Sequence, residues 1–479
     1  MSHRFRPRTR PDLTCIAALT AIGLSFTFPA SRVNRAARAD DAPVAAVKMA
    51  REFLGDRDDE RRAKLAAQLA EYDDRIDEVI AKLRRRSHDD VETGYLPDQK
   101  FTTKELRHKH PKDRLYYMIP PDYSAEKPTG LIVFMHGGGR TSKRTWPKYY
   151  LNKPDRDPSD GDRSQVGDLF AKSGMIAVGP SAPKDTDSWA RWCLPEADEY
   201  LRDVILECKN RFNIDDDRVF LIGHSMGGFG AYHHIQRSGD RYAGVVVSSG
   251  SWQRAHLPAF RGTKLDIIHG VDDSDRGSHF TDIAYARRTD ELLDKLQLDY
   301  TYHEHDGDHG IASSRETLTK YLANASRLKR DPYYPHITLA SPVGFTSWYF
   351  FPVRHNRWLT LDVARPGSIE YDRLYADFKA PFDDWKLEHS KIREEGQSIE
   401  AKIDRDSNRI DVKTQNVARF TIWLHPKMVD FDERVTVVVD GKTLFRDRVA
   451  PSLVTTLESY ERRLDWGLLY QAKITLTLE

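Results

Sequence analysis

From about residue 112 onward the chain alternates short apolar runs with longer stretches of helical period. The runs are "LYYMI" (115–119), "LIVFM" (131–135), "MIAVG" (175–179), "VFLIG" (219–223), "AGVVVS" (243–248), "LDIIH" (265–269) and "YTYH" (300–303). Between them lie "ADEYLRDVILECKNRF" (197–212), "GFGAYHHIQRSG" (228–239), "TDIAYARRTDELLDKLQ" (281–297) and "SRETLTKYLANASRL" (314–328). An apolar run without polar alternation is a strand buried on both faces, and strands separated by helices are βαβ units. The pattern predicts a three-layer α/β domain with a mostly parallel sheet over residues 100–330.

The two flanks have different periods. In residues 43–86, Leu65, Leu69, Ile76, Ile80 and Leu83 recur at three- to four-residue steps among charged positions. This is an amphipathic helix or helical hairpin within a segment 40–99. Its lone apolar face is expected to pack against the main domain. Past residue 331, "DPYYPHITLA" reads as a linker, and β-rich runs follow: "RWLTLDV", "SIEAKID", "ARFTIWLHP" and "RVTVVVDGKTLFRDRV". The alternation in "SIEAKID" and the Asp440-Gly441 pair between two β-rich runs are hairpin signals. Residues 331–479 are therefore predicted to be a mostly β, sandwich-like domain.

Composition adds two constraints. With 74 basic and 73 acidic residues the charges cancel, so nothing in the whole-chain field favours nucleic acid or an anionic membrane surface as a partner. The basic start "MSHRFRPRTR", the apolar "LTCIAALTAIGLSFTF" and the small-residue site Ala37-Arg38-Ala39 together describe a signal peptide over residues 1–39. The apolar run is shorter than the ~20 residues of a spanning helix. A secreted or periplasmic protein without a stable membrane span is expected, an uncleaved anchor being the alternative. Cys193 and Cys208 would remain after cleavage; an oxidising compartment permits a bridge between them, and the fold does not require one.

Candidate chemistry centres on "VFLIGHSMGG" (219–228). Ser225 closes a predicted strand and opens a predicted helix, with Gly223 and Gly227 where side chains would collide in a tight strand-to-helix bend. The helix start favours developing negative charge, and the Met226 N–H is placed to donate to an oxyanion. A serine nucleophile needs a base and an orienting acid, following it in the order acid, histidine in this architecture. "VDDSD" offers Asp272, Asp273 and Asp275 at the end of a strand, and "YTYHEHDGDHG" ends in a loop holding His309. Upstream, "FMHGGGR" follows another strand, and Gly137 and Gly138 leave bare N–H groups for the same oxyanion. All of these fall where an open parallel sheet puts ligands, at the carboxyl ends of its strands.

Competing features have plainer readings. His303 and His305 could face one way and bind metal with an aspartate, but a surface pair at a strand end is the simpler account. Asp155, Asp157, Asp160 and Asp162 lack the spacing of a calcium loop. Trp189 and Trp192 precede the nucleophile strand and fit pocket lining or packing equally. Trp348, Tyr349, Phe350 and Phe351 fit a small domain's core or a sugar-stacking surface.

The segment "PEADEYLRDVILECKNRFNIDDDRVFLIGHSMGGFGAYH" resembles the α/β-hydrolase superfamily. Within it, the chain resembles the secreted esterase group that includes feruloyl and acetylxylan esterases, polyhydroxybutyrate depolymerases and prolyl-oligopeptidase-type catalytic domains. "HGVDD" is similar to that group's H-G-x-x-D acid segment and "GDHG" to its histidine loop. The resemblance covers roughly residues 110–328 and implies Asp273 as the acid and His309 as the base. The group's acid loop often continues into Val-Pro, whereas "SDRGSH" follows here, which leaves Asp272 and Asp275 as substitutes.

The expectation is an exported serine hydrolase cleaving carboxylic esters, small or polysaccharide-linked, through Ser225, His309 and Asp273, with Met226 and Gly137 or Gly138 as oxyanion donors. That mechanism needs no metal or organic cofactor. A prolyl-oligopeptidase-type peptidase and a glycan-binding protein on a hydrolase scaffold are the alternatives.

Overall fold

The computed structural model describes residues 42–138, 143–152, 165–183, 191–273, 281–342, 352–376 and 386–479. The proposed signal peptide therefore lies outside the described residues. So do Gly139, the aspartates at 155–162, Trp189, Asp275 and the aromatic cluster at 348–351.

The helical period at the start of the described chain becomes α1 (Ala42–Gly55), α2 (Asp59–Leu69) and α3 (Ile76–Arg84). Strand β1 (Gly94–Gln99) follows, within the stretch read as helical; Pro97 lacks an N–H, which an edge strand tolerates, and β1 is the edge of the main sheet. After α4 (Lys104–Lys109) come β2 (Leu115–Ile119), β3 (Thr129–Met135), α5 (Pro147–Leu151), α6 (Gly167–Lys172), β4 (Ile176–Pro180) and α7 (Pro195–Arg211). Then follow β5 (Ile214–His224), α8 (Met226–Ser238), β6 (Gly244–Ser248), the short β7 (Arg254–Ala255), β8 (Lys264–Gly270), α9 (Ile283–Lys295), β9 (Tyr300–His305) and α10 (Arg315–Ala325).

Eight of these strands form one sheet in the order β1-β2-β4-β3-β5-β6-β8-β9. β1 and β2 run antiparallel to their neighbours, and every pair from β4 to β9 is parallel. The all-apolar runs are buried on both sides because helices cover both faces. On one face α7, α8 and α9 bury Tyr200, Val204, Tyr232, Ile235 and Leu293 against the sheet. On the other, α5, α6 and α10 bury Leu151, Phe170, Leu318 and Leu322. This is the three-layer α/β architecture with a mostly parallel sheet anticipated from the alternation of runs.

The β-rich part begins at β10 (His336–Pro342), so half of the presumed linker is a strand. It continues through β11 (His355–Asn356), β12 (Leu359–Ala364), β13 (Ser368–Ala376), β14 (Leu387–Asp404), β15 (Arg409–Gln415), β16 (Val417–Leu424), β17 (Val435–Val439) and β18 (Lys442–Asp447). Helix α11 (Leu453–Arg463) and β19 (Ala472–Thr477) close it. One sheet runs β18-β17-β15-β14-β13-β7 with β10 also on β14; the other runs β11-β12-β16-β19. Ile399, Ile403, Ile410 and Val437 of the first meet Leu361, Phe420, Ile422 and Ile474 of the second in a single core. Asp440 and Gly441 take positive φ (49° and 84°) at the β17–β18 turn, the paired left-handed conformation of a two-residue hairpin loop.

Two junctions differ from expectation. The apolar stripe of the N-terminal helices (Leu69, Ile76, Val79, Ile80, Leu83) packs not on the α/β layers but on Leu453 and Leu457 of α11 and on Leu469. Arg62 fixes the contact by a two-pronged bond to Glu461 at 2.7 and 2.8 Å. Periodicity says which face of a helix is apolar and is silent on what covers it. The α/β and β-rich parts are joined by a buried ion network: Arg330 donates to both carboxylate oxygens of Asp465 (2.8 Å each) and to Asp217 (2.9 Å). Asp240 accepts from the Arg357 N–H (3.0 Å) and from Arg463. Cys193 and Cys208 are free thiols, both buried, with no bridge between them.

Candidate active site

The apolar residues Val219 to Ile222 drive β5 through the middle of the sheet, and the chain reverses at once into α8. Ser225 sits on the reversal at φ 54° and ψ −115°, outside the regions open to most L-residues. Its N–H donates to the Ser248 carbonyl at the end of β6 (2.9 Å), which holds the bend. A Cβ on Gly223 would lie 2.1 Å from the Gly227 carbonyl oxygen, and one on Gly227 would lie 1.9 Å from the Met135 carbonyl oxygen. Only hydrogen fits at either place, so the glycines flanking the serine are steric requirements of the turn.

His309 follows β9 in a loop and brings Nε2 to 2.8 Å from Ser225 Oγ. Its Nδ1 lies 2.7 Å from Asp273 Oδ2, beyond the end of β8. Asp272 is exposed, its N–H donating to the Gly307 carbonyl (3.0 Å), so of the two described aspartates it is Asp273 that meets the histidine. Burial alone would raise the Asp273 carboxyl, but hydrogen bonds from His269 and His309 outweigh it and bring it down to about 2. It is a carboxylate at any ordinary pH.

His269 carries a role that the motifs of the sequence do not assign. It is fully buried at the end of β8, with Nε2 2.8 Å from the Thr281 carbonyl and 3.1 Å from Asp273 Oδ2. Both oxygens are acceptors, so Nε2 carries the proton and shares it between them. The "HG" preceding the acid was the available signal, since a histidine four residues before an aspartate at a strand end can fold back onto it.

Gly137 and Gly138 lie at the end of β3, beside the serine. A Cβ on Gly137 would stand 3.0 Å from Ser225 Cβ and 2.8 Å from the Tyr150 hydroxyl, and Gly138 takes φ 123°. His136 is buried and its Nδ1 donates to the Gly137 carbonyl (2.7 Å). Burial pushes this imidazole down to about 4, so it is neutral. The Tyr150 hydroxyl is hydrogen-bonded to the Gly137 backbone and, being buried, is pushed up to about 12. Trp192 donates from its indole to the His136 carbonyl (3.0 Å) and is fully buried against Gly230, which makes it a packing residue rather than pocket lining. Met226 is the first residue of α8 and is buried. His303 and His305 stay on β9; among the described residues no group of three or more His, Cys, Asp or Glu is placed to hold a metal ion.

Residues 195–325 match the model of the Esterase family, described as "Putative esterase". The chain is similar to the bifunctional acetylxylan esterase/xylanase XynS20E of Neocallimastix patriciarum, 24% identical over 153 residues, which is 32% of this chain and 23% of that protein. The match thus spans about a quarter of the relative's length. Among solved structures, a ferulic acid esterase is 16% identical (TM-score 0.37) over 50% of this chain and 99% of its own. The S-formylglutathione hydrolase FrmB of Staphylococcus aureus is 16% identical (TM-score 0.36) over 50% of this chain and 100% of its own. The match to the Esterase family model is confined to residues 195–325, about a quarter of the chain, from α7 to α10.

Proposed function

We propose that the protein is an exported serine esterase working through an acyl-enzyme, with residues 100–330 as its catalytic unit. The observation that carries this reading is the line Asp273–His309–Ser225 at 2.7 and 2.8 Å, ending on a serine held at positive φ.

Ser225 Oγ attacks the ester carbonyl carbon while His309 Nε2 takes its proton. The carbonyl π pair moves onto oxygen, giving a tetrahedral oxyanion. Asp273, ionised, keeps the Nδ1 proton of His309 in place and stabilises the imidazolium. Two N–H groups receive the oxyanion. The Met226 N–H is one, at the positive end of α8. Gly138 supplies the other: His136 holds the Gly137 carbonyl and Tyr150 the Gly137 backbone, and across a trans peptide the Gly138 N–H points opposite to that carbonyl. The oxyanion then collapses, His309 gives its proton to the departing alkoxide, and the acyl group stays on Ser225. A water, losing a proton to His309, repeats the attack and releases the acid.

The substrate is an ester, small or carried on a polysaccharide, in keeping with the acetylxylan esterase relative. Export rests on the basic, apolar and A-x-A pattern of residues 1–39. Acetyl, butyryl and feruloyl esters, with aminoacyl and prolyl amides beside them, test the reading against a Ser225→Ala blank. Ester turnover should fall by roughly 10⁴–10⁶ in the variant while unfolding is unchanged. Ester hydrolysis surviving in Ser225→Ala, or cleavage of amides alone, would overturn it.

A further inference from the structure

Beyond β3 the chain runs through Gly137 and Gly138, the second at φ 123°, and glycine backbone is the least constrained of any residue. An N–H on such backbone stabilises an oxyanion only if its peptide is fixed beforehand. The carbonyls of this loop show what fixes it. The Trp192 indole N–H donates to the His136 carbonyl (3.0 Å), which pins the peptide between 136 and 137. The His136 ring donates from Nδ1 to the Gly137 carbonyl (2.7 Å), which pins the next peptide, whose N–H belongs to Gly138. With both planes held, the two torsions of Gly137 between them are set. The rings of His136 and Trp192 also meet edge to face, their centres 5.4 Å apart, and both residues are buried.

Trp192 is itself anchored, and its anchors stand on α8. It belongs to a short helical turn, Arg191–Cys193. His234 Nε2 donates to the Trp192 carbonyl (3.0 Å), and Arg237 Nη1 donates to the Cys193 carbonyl (3.2 Å). Asp198 of α7 holds both of these side chains. Arg237 donates to it from Nε (2.8 Å) and Nη2 (3.1 Å), and His234 Nδ1 lies 2.6 Å from its Oδ1. Burial alone would raise the Asp198 carboxyl, but Arg237 and His234 hold it well below the ordinary carboxylate range. A Cβ on Gly230 would lie 2.4 Å from the Trp192 Cβ, so Trp192 rests directly on the helix backbone. Gly230 and His234 follow Met226 by four and eight residues, on one face of α8. The helix that begins with the Met226 N–H thus carries, one and two turns on, the seat and the anchor of the residue that pins the glycine loop.

We infer that Trp192 is a positioning residue: its indole N–H holds the His136 peptide so that the Gly138 and Met226 N–H groups converge on one oxygen. It touches no substrate and acts through the loop it pins. This rests on the serine-esterase reading above and adds to it the residue that sets the geometry of the two donors. Two replacements remove the indole N–H. Trp192→Phe shortens the ring, whereas 3-benzothienylalanine in place of Trp192 keeps nearly the same shape with sulfur where the N–H was. With 4-nitrophenyl acetate, assayed well below the unfolding midpoints, kcat should fall about 10- to 30-fold with KM within twofold. That is less than the roughly 10²–10³ lost when a donor is removed outright. Phenylboronic acid gives a second reading: Ser225 Oγ bonds to boron, its proton passes to His309, and the tetrahedral anion puts an oxygen on the same donors. Its affinity should fall by the same factor as kcat, which a general loosening of the fold would not produce. Where Trp192→Phe fails to fold, the benzothienyl protein decides. Unchanged kcat in that protein, or a fall in kcat with boronate affinity intact, overturns the positioning role and leaves the esterase reading standing. Wild-type protein inert to the ester overturns the esterase reading, and the positioning role with it.

Discussion

Both halves of the molecule contain residues with left-handed backbone, and the residue types differ. In the β-rich half they include Asn408, Asn416 and Asp440 (φ 49°, 57° and 49°), types that adopt this conformation at little cost. Asn416 uses the bend as well, donating from Nδ2 to the Gly396 carbonyl (2.8 Å). The α/β half has Asp98, Ser225, Ser249 and Gln297 in this conformation (φ 51°, 54°, 48° and 51°); all but Asp98 are residue types without that tolerance, and Ser225 combines its φ with ψ −115°. Strain of this kind costs of order 1–3 kcal/mol and persists only where the surroundings impose it. Here the surroundings are the Gly223–Gly227 contact and the bond to Ser248. The turns of the β-rich half use residues suited to them, whereas the bend of the α/β half is forced on a serine whose hydroxyl must project toward His309. The β-rich half's own costly cases, Arg357 and Leu464, lie at the seam between the halves, in or beside the ion network.

Acid gives the largest expected change after that of Ser225→Ala, and it should act on both halves alike. Burial holds His136 in the α/β half and His425 in the β-rich half at about 4, below the ordinary value of 6.5. Between those values the unfolded chain binds a proton that the folded chain refuses. Stability is therefore lost as pH falls from 6.5 toward 4, by up to about 3 kcal/mol for each histidine. Asp273 has the opposite charge type and a lowered value, so its contribution is present above about pH 4 and is lost only as pH falls toward 2. Urea midpoints at pH 7, 5.5 and 4 check this; a flat series would show that the buried imidazoles are not held neutral.

Next in size is His269→Leu. Without the second donor to Asp273 Oδ2, the His309 ring is less well placed, and kcat should drop on the order of 10- to 100-fold with KM little changed. His269→Gln, which can restore an N–H, should recover some of the loss, and a loss confined to stability would reduce His269 to packing. The smallest effect tests the comparison directly. Ser225→Gly should abolish hydrolysis and raise stability by about 1 kcal/mol, because glycine adopts the bend without strain. Asn416→Ala should lower stability by about 1–2 kcal/mol and leave hydrolysis intact. If Ser225→Gly destabilises the fold, the serine is not strained and the contrast fails.

What could be read from the chain divides along physical lines. Runs such as Leu131–Met135 and Gly244–Ser248 are buried on both faces, so composition alone marks them as central strands. Ser225, Asp273 and His309 were legible because each ends a strand on the carboxyl side of the sheet, where topology brings strand ends together. The choice of Asp273 over Asp272 came from resemblance, since two adjacent aspartates differ only in which way the loop turns them. For His269 the only sign was its place four residues before the acid, and for Tyr150 there was none: both contacts, across 4 and 13 residues, carry no periodicity. Helix α11 is hidden in a stretch dominated by β-rich runs. Without it, the N-terminal helices have no visible partner in the sequence except the main domain.

That partnership sets an order of events in time. The Leu453 N–H donates to Asp73 at 2.7 Å, a contact spanning 380 residues. At ~5–20 residues per second, synthesis needs roughly 20–75 seconds to traverse such a span. Throughout that interval the apolar stripe of Ile76, Val79 and Leu83 has been made and its cover has not. Helices α1–α3 are thus made early and completed among the last, and removing either α11 or the α1–α3 segment uncovers the other.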